Sequence, residues 1–150
     1  MNSEINPLMK LMNQISFFDE FSNKEKNILV EKDGIFKKYE KIGYTLFTEG
    51  GKGESMFVVL EGVINVVRGS LKGDRVKPVV LATLKKGSVF GEISLLSKQR
   101  RTTGAITASS LVILMEIDKK TLESFDISMR ELFHTQMISI LIRRLDEMNR

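Results

Sequence analysis

The chain has 150 residues, 42% hydrophobic and 28% charged, with a formal net charge of +4. That composition fits one globular domain with a single core and excludes an intrinsically disordered chain. Cysteine is absent, which excludes disulfides and thiolate metal sites. The basic residues are interleaved with 19 acidic ones and accompany no nucleic-acid-binding motif. No window approaches the ~18 consecutive apolar residues of a membrane span, and no basic leader precedes an apolar run. A cytoplasmic protein without a nucleic-acid partner is the expectation.

In chain order, Leu8, Leu11, Met12 and Ile15 recur at helical spacing. Ser22-Asn23-Lys24-Glu25 then offers an N-cap with an acid three residues on, opening a turn through Ile28 and Leu29. Two short helices, or one broken near Ser16-Phe17-Phe18, are expected. From Ile35 the rhythm becomes that of strands. Tyr44–Phe47, Ser55–Leu60, Val63–Arg68, Val79–Leu84, Ala105–Ala108 and Leu111–Ile117 are apolar runs, most of them next to a glycine-containing turn. Short strands at this spacing predict a sandwich or barrel rather than a parallel sheet. After Asp118, a turn through Leu122 and Phe125 leads to a longer helix beyond Asp126. It carries Met129, Leu132, Phe133, Met137, Ile140, Leu141, Leu145 and Met148, with Ile138 and Ile142 widening the stripe. This helix is more apolar than one contact requires, so it should cover the barrel on one side and a partner helix or ligand on the other.

The chemistry concentrates between Gly87 and Thr103. Gly87-Ser88-Val89-Phe90-Gly91-Glu92-Ile93-Ser94-Leu95-Leu96 reads as a strand end, a tight glycine turn and a helical start whose free N–H groups favour a phosphate or carboxylate. Arg100 and Arg101 follow at once, and Arg101 can add a forked, permanently charged donor that matches two anion oxygens. An ionised Glu92 accepts hydrogen bonds only, so it suits a hydroxyl beside the anion. Ser94 can donate to the same anion, and Thr102 can reach a phosphate oxygen or a base edge. By composition alone, the same Gly-Glu turn and arginine pair also fit a salt bridge on a solvated loop, worth about 0–1 kcal/mol. The only histidine, His134, falls on the long helix and is read as a surface or packed residue. One histidine without cysteine cannot assemble a metal centre of the usual kind, and no nucleophile–base pair is evident, so an enzyme is not expected.

Phe90-Gly91-Glu92-Ile93-Ser94-Leu95-Leu96, a short loop, then Arg101-Thr102 resembles the phosphate-binding cassette of the cyclic nucleotide-binding domain family. That family includes catabolite activator proteins, regulatory subunits of cyclic-nucleotide-dependent protein kinases and cyclic-nucleotide-gated channels. Leu46–Gly50, Gly53–Phe57 and Leu60–Gly62 resemble its early strands and turns, so the likeness runs over about residues 15–145. It implies a mainly β fold, a jelly-roll β-barrel or double-stranded β-helix with N-terminal helices and C-terminal lid or hinge helices. The corresponding division is a helical segment at 1–34, a barrel at 35–117 with its cassette at 87–104, and C-terminal helices at 118–150.

The resemblance implies that cAMP or cGMP binds as a regulatory ligand, without a cofactor or metal. Phe90, Gly91, Glu92, Ile93, Ser94, Arg100, Arg101, Thr102 and Thr103 would form the site. Arg101 would pair with the cyclic phosphate, Glu92 would accept from the ribose 2′-hydroxyl, and the N–H groups of Gly91 and Ser94 would hold sugar and phosphate. Thr102 sits where some members hydrogen-bond a syn guanine. Two departures stand out: Arg100 replaces a frequent proline, and one extra residue follows Thr102, to be absorbed by a bulge near Gly104. The signal would pass through the C-terminal helix, with the segment from Phe133 to Leu145 closing over the base. Arg143 and Arg144 are read as solvated, or as reaching the ligand when that lid closes. The alternatives are the sensor half of a dimeric transcription regulator, paired through Leu141 and Leu145 of the C-terminal helix, and a barrel interaction module that binds no nucleotide.

Overall fold

The computed structural model describes residues 6–69, 78–92, 95 and 100–149. Helix α1 (Pro7–Met12) starts where Asn6 accepts from the Leu8 N–H and Pro7 fills a position needing no donor. Helix α2 (Asn23–Glu31) has the expected capping box: Ser22 Oγ accepts from Glu25 N at 3.1 Å and Glu25 Oε1 accepts from Ser22 N at 2.8 Å. Between them the helical path breaks into a single 3₁₀ turn, Ser16–Phe18. That break lets Phe17, Phe18 and Phe21 all point into the core.

Eight strands follow among the described residues: β1 (Phe36–Tyr39), β2 (Thr45–Phe47), β3 (Ser55–Glu61), β4 (Ile64–Arg68), β5 (Val79–Leu84), β6 (Val89–Phe90), β7 (Gly104–Thr107) and β8 (Val112–Asp118). They make two antiparallel four-stranded sheets, ordered β1-β8-β3-β6 and β2-β7-β4-β5. Strand β1 escapes the sequence reading because Phe36-Lys37-Lys38-Tyr39 has a charged centre. It lies at a sheet edge, where Lys37 meets water and pairs with Glu116 at 2.6 Å.

The first sheet is sandwiched. Along β3, Met56, Val58 and Leu60 pack with the helices, whereas Phe57 and Val59 face the second sheet. Strand β8 divides the same way, with Met115 and Ile117 toward the helices and Val112 and Leu114 toward the other sheet. Burial on both faces is why these strands read as unbroken apolar runs rather than alternating ones. Strand β5, at the edge of the second sheet, is exposed along nearly its whole length despite an equally apolar sequence.

The bulge expected near Gly104 lies elsewhere. Gly104–Thr107 pairs without interruption with Val67–Ile64, and the register shifts instead on the other neighbour, β2, between Thr45 and Phe47. Strand β2 is a short edge strand, where an unpaired residue costs less than in the centre of a sheet.

Asp118 caps helix α3 (Lys119–Ser124) by accepting from Thr121 N, and Asp126 caps helix α4 (Ile127–Met148) by accepting from Met129 N. The first half of α4 buries Met129, Phe133 and Met137, with the Phe133 ring 5.2 Å from Phe21 and 5.8 Å from Phe125. Its second half presents Ile138, Ile142, Leu145 and Met148 to solvent, 53–79% exposed. The single apolar stripe of the sequence is therefore two faces, one in the core and one outside. His134 is exposed on the helix surface, and no helix among the described residues is long and apolar enough to cross a membrane.

Candidate functional site

Strand β6 delivers Phe90 into the space between the sheets, its ring stacked 4.9 Å from Phe57. Gly91 then turns the chain with φ +79°, a conformation side chains avoid. A Cβ there would also lie 2.8 Å from both Arg101 Nη1 and Ser55 O, so only glycine lets the chain pass. Glu92 follows in a helical conformation and is 2% exposed.

Arg101 is held at both ends. Its backbone exchanges hydrogen bonds with the loop after β2: Arg101 N donates to Gly51 O at 2.9 Å, and Gly50 N donates to Arg101 O at 2.7 Å. Its guanidinium donates to Gly91 O (Nη1, 3.1 Å) and Ser55 O (Nη2, 2.9 Å). Cζ lies 4.2 Å from the centroid of the Phe47 ring, a cation–π distance. The residue is 6% exposed and its Nε is buried without a hydrogen-bond partner. Desolvation lowers the Arg101 pKa from its ordinary value, with Glu116 pulling weakly the other way. Glu116 reaches this region through Ser55, whose Oγ donates to it at 2.8 Å.

Glu92 and Arg101 are both buried, which excludes the solvated-loop salt bridge that composition alone allowed. Nor do they pair with one another: the Glu92 carboxylate accepts from Nη1 of Arg144, and Nη2 of Arg144 donates to Val89 O. Arg144 comes from the second half of α4, and its side chain is 43% exposed. Of the two sequence readings of Arg144, solvated or reaching the site from the helix, the structure has it half-exposed and on the cavity wall. Desolvation lowers its pKa, and Glu147, one turn further along α4, opposes that shift.

These groups line a cavity of about 270 Å³. Phe90, Gly91, Glu92, Arg100, Arg101, Thr102 and Thr103 are all on its wall, together with Phe47, Val66 and Arg144. Arg100 donates to Gly50 O at 3.1 Å and keeps its charge at the exposed rim. Ile93 and Ser94 lie outside the described residues. Phe47 and Val66 were not among the site residues expected from the sequence, and Arg144 was expected there only through closure of the lid. Phe47 had a signal, an aromatic in the strand before a glycine turn, but only the fold sets it beneath Arg101. Among the described residues no cluster of three histidine or carboxylate side chains could hold a metal ion. The cavity offers one buried carboxylate for hydroxyls, one buried cation for an anion, and an aromatic and aliphatic wall for a flat apolar group.

Residues 37–126 match the family model described as the cyclic nucleotide-binding domain. The chain belongs to the cyclic nucleotide-binding domain family. It is 42% identical over 77 residues to the mouse cyclic nucleotide-gated channel beta-3, a stretch covering 50% of this chain and 10% of the channel. It is 28% identical over 107 residues to a CRP-like cAMP-activated global transcriptional regulator of Mycobacterium tuberculosis, covering 71% of this chain and 46% of the regulator. The chain therefore spans less than half the length of either relative. The catabolite activator protein of Thermus thermophilus superposes with a TM-score of 0.69 at 24% identity, over 89% of this chain and 59% of that one. That likeness concerns the fold, two antiparallel sheets with flanking helices.

Proposed function

We propose that this cyclic nucleotide-binding domain takes up cAMP or cGMP as a regulatory sensor and passes the signal through α4. The observation that carries the reading is the burial of Glu92 and Arg101 on the wall of one cavity, beside the Gly91 turn. A buried guanidinium with an unpartnered Nε is a desolvated cation, and an entering anion offsets that cost. Arg101 pairs with the cyclic phosphate, Glu92 accepts from the ribose 2′-hydroxyl, and the N–H groups of Gly91 and Ser94 complete the cradle. Thr102 and Thr103 stand at the phosphate or the base edge, and Phe47 and Val66 supply apolar wall. Two or three charge-assisted hydrogen bonds of about 1.5–3 kcal/mol each, with burial of the base, are consistent with micromolar affinity, about −8 kcal/mol. The role is binding rather than catalysis, in the cytoplasm, by a domain with helices at 1–34 and 118–150 around a barrel at 35–117. The strand orders β1-β8-β3-β6 and β2-β7-β4-β5 support the jelly-roll form of that barrel.

Calorimetry with cAMP, cGMP and a cyclic dinucleotide, on wild type and Arg101→Ala, tests the proposal. Micromolar heat with a cyclic mononucleotide and its loss in the variant are expected. Silence with every ligand refutes the function, and unchanged affinity in the variant refutes the site.

A second reading, the sensor half of a dimeric transcription regulator, is favoured by the exposed stripe Ile138, Ile142, Leu145 and Met148 on α4. Its spacing of four, three and three residues keeps these side chains on one helix face. An interaction module without nucleotide accounts for the Glu92–Arg144 pair but leaves the buried Nε of Arg101 without a partner.

A further inference from the structure

We infer that Arg144 is a displaceable plug of the ligand site, which holds α4 against the cassette by occupying the carboxylate that the ligand's sugar must take. The inference rests on the cyclic-nucleotide reading above for the identity of the competitor, and on geometry alone for the plug. Arg144 makes two contacts from α4 to the cassette side of the cavity, Nη1 to the Glu92 carboxylate and Nη2 to Val89 O. It also lines the cavity itself, beside Arg101 and Thr102. With Arg144 in place the cavity measures about 270 Å³, slightly below the roughly 300–1,000 Å³ of sites that enclose small ligands.

The first half of α4 cannot act in its place. Phe133 is fully buried between Phe17, Phe21 and Phe125, on the core side of the first sheet and away from the cavity. Beyond Met137 none of the described α4 residues is buried, so the Arg144 contacts fall on the loosely packed half of the helix. A ligand hydroxyl that replaces Arg144 at Glu92 keeps the buried carboxylate hydrogen-bonded while removing the ion pair that fastens this half. The freed guanidinium stays solvated and has Glu147 within electrostatic reach on its own helix. Ligand and Arg144 thus compete for the Glu92 carboxylate and for the cavity space that Arg144 lines, and each weakens the other's affinity by the same factor.

Amide hydrogen exchange over residues 141–148 of the ligand-free full chain tests the plug without any nucleotide. Arg144→Ala and Glu92→Gln each speed exchange there about tenfold, the double variant is no faster than either single one, and Arg143→Ala leaves it unchanged. Unchanged exchange in both single variants, or additive effects in the double, overturns the plug. Calorimetry with cAMP and cGMP then tests the competition: Arg144→Ala binds about tenfold tighter than wild type, within the usual range of coupling between sites. Weaker binding by that variant makes Arg144 a ligand contact and overturns the inference. Coupled exchange between Arg144 and Glu92 in a protein that binds no cyclic nucleotide supports the plug while refuting the cyclic-nucleotide reading, so the two failures are separable.

Discussion

Gly53 shows how tightly the site is fitted at single residues. A Cβ at this position would lie 2.0 Å from Arg101 Nε and 2.5 Å from Cζ. Its backbone angle is not in the left-handed region, so the constraint is space rather than torsion. Gly53→Ala is therefore expected to fold with a lowered thermal midpoint, because it displaces the guanidinium from Gly91 O and Ser55 O. Losing one charge-assisted bond of about 1.5–3 kcal/mol corresponds to a roughly 10–150-fold weaker cyclic nucleotide affinity in calorimetry. An unchanged affinity would remove Arg101 from the anion's first contacts. That Glu92 and Arg101 are candidate site residues was legible in the sequence, because an acceptor-only and a donor-only group follow the Gly91 turn within ten residues. The pairing of Arg144 with Glu92 was not, since the two stand fifty-two residues apart and nothing local marks which face of α4 turns inward.

Within α4, the start after Asp126 and the apolar spacing were legible, but its division of labour was not. Leu145 and Met148 continue the apolar spacing of Phe133 and Met137, yet the first pair is exposed and the second buried. The cause lies outside the helix: Phe17 and Phe21 reach α4 at the level of Phe133. Phe133→Ala should cost about 3–5 kcal/mol of stability, through lost burial and the cavity left among the phenylalanines. Ile138→Ala, on the exposed face, should change stability by less than about 0.5 kcal/mol. Urea unfolding followed by circular dichroism measures both, and comparable losses would mean that the second half of α4 is packed as firmly as the first. Strands β3 and β5 make the same point. Both are apolar runs, but β3 lies between two layers and β5 at an edge, and only the pairing of strands separates them.

For the whole molecule, the core is three layers: helices, the sheet β1-β8-β3-β6, and the sheet β2-β7-β4-β5. The cavity opens beside the second sheet, and the exposed stripe of α4 lies on the same half of the helix as Arg144. A second copy paired along that stripe would sit next to the ligand site and feel its occupancy. Sedimentation of the wild type is expected to show a concentration-dependent dimer, and Ile142→Glu a monomer, because a carboxylate in an apolar helix seam is left without a partner. A monomeric wild type at all concentrations would leave the stripe outside any self-association.

The sequence by itself determined the caps at Ser22, Asp118 and Asp126, most of the strands, the glycine turn at Gly91 and the residues that carry charge around it. These follow from local rules, hydrogen bonds to chain neighbours, periodic burial and backbone torsions, which act over a few residues. Only the tertiary structure decided that Phe47 lies beneath Arg101, that the register shift belongs to β2, and that Glu92 faces Arg144 rather than Arg101. Those choices are made by close packing between elements distant in sequence, where a carboxylate takes whichever cation the fold brings to it.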